Sequence, residues 1–166
     1  MRRFASLVVA CLTCLAIAAQ RNIDFASKFM QECDNDTAIQ CVTIGPKMME
    51  QLTKHHDAKS NENIAQAIQK LKTARIVMST DSGAIYYEKA ETLLKKFPKR
   101  FLHDKDYKNE HAHGTFYIRK QKAGQVVELI MLHYDSNKDN LIIVNLTGDI
   151  DEEFTNLLSK NLGNKK

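Results

Sequence analysis

The run Leu141-Ile142-Ile143-Val144-Asn145-Leu146 carries apolar side chains at both odd and even positions. Successive residues of a strand face opposite sides of a sheet. A segment apolar on both sides therefore has to lie inside a sheet and not at its margin. The run breaks into Gly148-Asp149-Ile150-Asp151-Glu152-Glu153, after which Phe154, Leu157, Leu158 and Leu162 recur at helical spacing and Gly163 offers a stop. Asp149 and Glu152 have the spacing of a capping box. All the acidic residues after Ile150 stand where a helix dipole favours negative charge, and Gly148 permits the backbone angle of a strand-to-helix bend. A calcium loop needs more oxygen ligands over a longer span, and carboxylates would repel a phosphate. The acidic turn reads as a structural joint.

Around that strand the periodicities predict an α+β domain. Ile23 to Cys33 is helical, with Phe25, Ala26, Phe29, Met30 and Cys33 inward. Ala38 to Ile44 alternates as a strand, Ile39 and Cys41 on one side, Val42 and Ile44 on the other. Gly45-Pro46 opens a helix that turns Met48, Met49 and Leu52 inward. After the polar connection Lys54 to Ser60, Ile64, Ala65, Ile68 and Leu71 suggest a short helix, and Arg75 to Ser79 a brief strand. Thr80-Asp81-Ser82 reads as the cap of the longest helix, whose stripe is Tyr86, Ala90, Leu93, Leu94 and Phe97 and which Pro98 stops. Phe101 to Tyr107 is a weak strand. His113 to Lys120 and Val126 to Tyr134 form a hairpin around Gln121-Lys122-Ala123-Gly124-Gln125. The expectation is one domain over residues 20–166. Its sheet is mixed or mostly antiparallel, with about five to six strands and helices packed mainly on one face.

The first residues differ from the rest. Arg2 and Arg3 precede an apolar stretch from Phe4 to Ala18, and Ala16-Ile17-Ala18 presents small residues where a signal peptidase cuts. Residues 1–19 are read as a signal peptide. The apolar run is shorter than a spanning helix needs. Cys11 and Cys14 raise the alternative of a lipid anchor, but each has a poor surrounding for lipidation. The expected location is the periplasm or the medium, and contact with a membrane would run only through an uncleaved signal or such an anchor. Export makes nucleic acid an unsuitable partner. Lys95, Lys96, Lys99 and Arg100 are explained by their place at a helix end. Cys33 and Cys41 remain in a compartment where disulfides persist, and either a bridge or two small apolar side chains fits their positions.

Gly148-Asp149-Ile150-Asp151 after an apolar strand also resembles the close of the family catalogued as domain of unknown function 4252, small exported bacterial proteins. Ile44-Gly45-Pro46-Lys47-Met48-Met49, Glu128-Leu129-Ile130-Met131-Leu132 and the early Asp24-Phe25 helix fit the same family in the same order. The resemblance implies a secreted or membrane-associated protein of a gut-type bacterium. It implies no activity, so no functional residue is carried over. Many members look like lipoproteins, from which the surroundings of Cys11 and Cys14 depart.

Catalytic patterns are sparse. No Gly-x-Ser-x-Gly surrounds Ser79, Ser82 or Ser136, and neither a P-loop nor a dinucleotide fingerprint occurs. No cofactor is expected. Tryptophan is absent, and Tyr86, Tyr87, Tyr107, Tyr117 and Tyr134 suit half-buried positions. Asp36-Thr37-Ala38 matches a short glycosylation signal, a three-residue pattern that often arises by chance, and otherwise reads as a turn before a strand. His55-His56 reads as a solvated pair. His111 and His113 share a strand face, and His133 lies on the next strand. A two-residue turn at Ala123-Gly124 would leave His133 on the other face. A three-residue loop would set His113 opposite His133 and permit a metal site. The sequence thus supports a non-enzymatic binding or interaction module for a small ligand or an envelope protein. The alternative is a metal-binding protein or small metal-dependent enzyme built on His111, His113 and His133.

Overall fold

The computed structural model describes residues 23–34, 36–55, 62–151 and 153–156. Helix α1 is Phe25–Glu32, strand β1 Ile39–Ile44, helices α2 and α3 Pro46–His55 and Glu62–Gln69, strand β2 Leu71–Ser79 and helix α4 Gly83–Lys95. Strands β3 to β6 follow as Leu102–Lys108, Ala112–Lys120, Val126–Asp135 and Asn140–Ile150. The strands make one six-stranded sheet in the order β1-β2-β6-β5-β4-β3, antiparallel at every pairing. The apolar run thus lies where its pattern requires: β6 is flanked by β2 and β5, and Leu141 and Ile143 are fully buried.

Register sorts the side chains into two cores. On the first face Val77, Leu141, Ile143, Ile130, Leu132 and Tyr117 pack under α1 and α4, through Phe25 and Phe29 of one and Ala90, Leu93 and Leu94 of the other. On the second face Ala74, Leu146, Leu129 and Ile118 stand in one row across the sheet, joined by Met49 of α2, Ala67 of α3 and Phe154. Helices therefore reach both faces, α1 and α4 on the first and α2 and α3 on the second. A central strand with apolar side chains on both sides needs exactly that double cover, since apolar area left in water forfeits about 25 cal/mol per Å².

Local departures have local causes. Leu71 is not on a helix but opens β2, which is nine residues long rather than brief. Met49 is buried, but Met48 is 51% exposed, because neighbouring helical positions point about 100° apart. Phe97 lies past the end of α4 and is 37% exposed. Ser82 occupies the N-cap of α4 in a left-handed conformation (φ 52°) without a side-chain cap. The cap comes instead from the β5–β6 turn, where Asp139 Oδ1 accepts from the Ala84 amide at 3.1 Å.

The acidic turn is a cap, displaced by two residues. Strand β6 runs on to Ile150, and Asp151 accepts the Phe154 amide at 2.8 Å. That bond, with Lys70 beside it, holds the Asp151 carboxyl below its usual range. Asp149 takes a hydrogen bond from Gln125 Nε2 instead, at 2.7 Å. Gly148 has φ 147°, and a Cβ there would stand 2.5 Å from the Lys70 carbonyl oxygen. Residues 1–19, His56, Glu152, Leu157, Leu158 and Leu162 lie outside the described residues. Among the described residues, no helix is long and apolar enough to cross a membrane.

Candidate functional site

The hairpin decides the fate of the histidines. Its loop is the three-residue form: the Gln121 amide bonds the Gln125 carbonyl, and Gly124 takes φ 87°. That loop alone would set His113 opposite His133. However, Lys120 pairs Val126 while Arg119 pairs Glu128, so Val127 is an extra residue in β5. The bulge moves the register by one, and His113 faces Tyr134 while His133 faces Gly114. His113 and His133 point to opposite faces, and the exposed His111 lies before β4, its carbonyl accepting from Ser136. Among the described residues no three metal-binding side chains converge. The register therefore does not bring His111, His113 and His133 together.

What the register builds on the first face is a cleft of about 610 Å³ between α4 and strands β3 and β4. Tyr87 and Glu91 line it from the helix, Asp106 and Lys108 from β3, His113 and Thr115 from β4. Tyr87 stands over the sheet because Ala90, Leu93 and Leu94 hold the inner side of α4. Its hydroxyl lies 3.1 Å from Thr115 Oγ1, and burial raises its pKa. The ring meets His113 edge-on at 5.0 Å, and Tyr134 packs against the same imidazole at 5.3 Å, its ring 6.2 Å from that of Tyr87. The rim is charged with both signs. Glu91 pairs with Lys95 at 2.8 Å, and Asp106 with His103 at 3.0 Å, which holds the Asp106 carboxyl low.

Directly beneath, on the second face, Tyr107 lies across Gly114 and reaches β5. Its hydroxyl is 2.6 Å from His133 Nδ1, and the two rings stack within 14°. A Cβ on Gly114 would meet the Tyr107 hydroxyl at 2.5 Å, so only glycine lets the ring pass. Burial pushes Tyr107 well above the ordinary phenol range and His133 below the ordinary imidazole value. The hydroxyl and Nδ1 share one hydrogen bond, and the tautomer of His133 sets which of them donates.

The serines are structural. Ser79 is buried and accepts the Leu141 amide at 2.8 Å, and Ser136 Oγ donates to the His111 carbonyl. Asp36 accepts from the Ala38 amide and the Tyr86 hydroxyl, which makes Asp36-Thr37-Ala38 a turn. Cys33 and Cys41 are free thiols, the first buried in the core and the second exposed. In the Lys95–Arg100 segment Lys95 pairs with Glu91 and Arg100 is turned to the Ile23 carbonyl, while Lys96 and Lys99 are exposed.

Sequence reasoning passed over one buried polar constellation. Glu128 is fully buried, and its Oε1 accepts the Phe25 amide at 2.7 Å and Asn145 Nδ2 at 3.1 Å. Its Oε2 takes Arg119 Nε at 2.6 Å, while Asn145 Oδ1 accepts the Ala26 amide at 2.8 Å. Two strand side chains thus satisfy the free amides of the first turn of α1. Asp24 adds the Ser27 amide at 2.8 Å and is itself paired with Arg75. The signal was available: Asn145 and Glu128 are the polar interruptions of two apolar strands.

A family model described as domain of unknown function DUF4252 matches residues 29–158. No curated protein matches the chain. Among solved structures, a protein of unknown function from Pseudomonas aeruginosa is similar at 12% identity and TM-score 0.36, over 80% of this chain and 85% of that one. The Ran-binding protein Mog1p of Saccharomyces cerevisiae is similar at 10% identity and TM-score 0.29, over 54% of this chain and 56% of that one.

Proposed function

The chain belongs to the family catalogued as domain of unknown function 4252, and we propose that it is an exported, non-enzymatic binding module of the bacterial envelope or periplasm. It takes a small polar ligand between α4 and strands β3 and β4. The observation that supports this reading is the cleft itself. Its volume of about 610 Å³ lies within the roughly 300–1,000 Å³ of small-molecule sites. The aromatic floor of Tyr87 and His113 offers a ring or apolar edge a stacking surface. Lys108 suits an anionic group, and Glu91 and Asp106 suit amino or hydroxyl groups. The Tyr87 hydroxyl bonds to Thr115, whose side chain also meets the Asp106 carboxyl. Hydroxyls paired in this way favour retention over turnover.

The test is a thermal-shift and NMR screen of amino acids, sugars and nucleotides against the purified chain. A binder whose shift is lost in Tyr87→Ala and His113→Ala, with the fold retained, is expected. Binding indifferent to both replacements would place the ligand elsewhere. Turnover of a substrate, abolished by one cleft replacement, would refute the non-enzymatic part.

A further inference from the structure

The two margins of the sheet are built differently. Strand β3 carries His103, Asp104, Lys105, Asp106 and Lys108 and is kinked by a register shift between His103 and Lys105. Charges and bulges are how proteins keep a free edge from pairing. Strand β1, Ile-Gln-Cys-Val-Thr-Ile, has no ionisable carboxylate or amine and pairs β2 in unbroken register. Gln40, Cys41, Val42 and Thr43 are all exposed, Val42 by 48%. The Ala38 carbonyl accepts from the Thr80 amide. By the alternation of an antiparallel ladder, residues 40, 42 and 44 then address β2, and Cys41 and Thr43 turn their amides and carbonyls outward.

We infer that β1 is a self-association edge, pairing antiparallel with β1 of a second copy about Val42. In that register Cys41 of each copy exchanges two backbone hydrogen bonds with Thr43 of the other, and the two Val42 side chains stand opposite. Val42 is the outer member of a row, continued by Ile76, Val144 and Met131. The pairing therefore joins two apolar rows across the twofold axis. A second copy suits the edge because it brings an equally uncharged strand, so no carboxylate or amine of either β1 leaves water when the two meet. Six residues a side are far fewer than the roughly 20–30 of a standard interface. The association is accordingly weak.

Analytical ultracentrifugation of the purified chain under reducing conditions, from about 10 μM to 1 mM, is expected to show a concentration-dependent dimer. Val42→Lys, which sets two cations opposite each other, should weaken it at least about tenfold with an unchanged CD spectrum. A second measurement fixes the register. Residues at a non-hydrogen-bonded pair have Cα atoms about 4.5 Å apart, within the span a disulfide bridges. In a background with Cys11, Cys14 and Cys41 replaced by serine, Val42→Cys should form a covalent dimer on mild oxidation. It should do so at least about tenfold faster than Glu110→Cys, at an exposed site far from β1. A monomer throughout, a dimer indifferent to Val42→Lys, or cross-linking at Val42 no faster than at Glu110 would each overturn the inference.

Discussion

Replacing Glu128 with glutamine isolates the charge that seats α1. The carboxylate serves three donors: the Phe25 amide, Asn145 Nδ2 and Arg119 Nε. Glutamine keeps the shape but has one acceptor oxygen and one NH2 group. If the oxygen stays toward Phe25 and Asn145, the NH2 group confronts Arg119. If it turns to Arg119, the NH2 group confronts the helix amide. Either way one charge-assisted bond, worth about 1.5–3 kcal/mol, is lost and a donor is left facing a donor. Arg119 keeps 26% of its side-chain surface exposed and so recovers some hydration. The expected loss for Glu128→Gln is about 2–3 kcal/mol. Glu128→Ala strands all three donors and should cost about 3–5 kcal/mol. A domain stable by about 5–15 kcal/mol would lose a large share of its margin.

Urea unfolding followed by far-UV CD measures this, at constant slope against denaturant. Hydrogen exchange at the Phe25 and Ala26 amides reports the same event locally. Arg119→Gln should show coupling to Glu128→Gln in a double-mutant cycle. A Glu128→Gln chain within about 0.5 kcal/mol of the original, with the Phe25 amide as protected as before, would refute the idea that this carboxylate holds the helix.

The other expectations are smaller in scope. Asp151→Ala should cost about 1 kcal/mol as a lost cap, while Asp149→Ala should cost less than about 0.5, and urea unfolding of the two variants decides which residue caps the helix. Because the folded Asp151 pKa is depressed, its contribution is present above the ordinary carboxylate value of 3.8 and is lost as acid titrates the folded group. Gly148→Ala meets backbone at 2.5 and 2.7 Å in a conformation that excludes side chains, and calorimetry should show a loss of about 3 kcal/mol or no folding. The folded His133 binds its proton less readily than an ordinary imidazole, so the unfolded chain takes up the proton first as pH falls below 6.5. Stability should fall with pH in that window, and His133→Phe should remove this part of the pH dependence.

Much of the architecture was legible because single rules acted alone. The two-sided apolar pattern placed β6, and Pro46 after Gly45 marked the start of α2, because each depends on one local preference. The paired lines of the β4–β5 hairpin were equally plain. The ends of elements were less so. Asp149 and Asp151 are both acidic residues near a helix start, and only the length of β6 chooses between them. Ser82 looks like a cap, but Asp139, distant in sequence, already fills that place. Glu128 and Asn145 stood in view as polar residues in apolar strands. Their shared purpose required knowing that α1 begins above them.

The histidines show why loop length could not settle the hairpin. The loop favours one register, yet accepting it along the whole strand would turn Ile130 and Leu132, both buried under α1 and α4, toward the other face. It would also carry Glu128 away from the Phe25 amide. Burying two such side chains is worth about 1.5–3 kcal/mol each, and a buried carboxylate deprived of its partners costs more. A single unpaired residue at Val127 is the cheaper solution, so the core sets the register and the turn keeps its own geometry. The same bulge that separates His113 from His133 therefore gives His113 to the cleft beside Tyr87 and His133 to Tyr107. The candidate site is a consequence of how α1 and α4 are seated, and a residue in the cleft cannot be reached by reasoning from the hairpin alone.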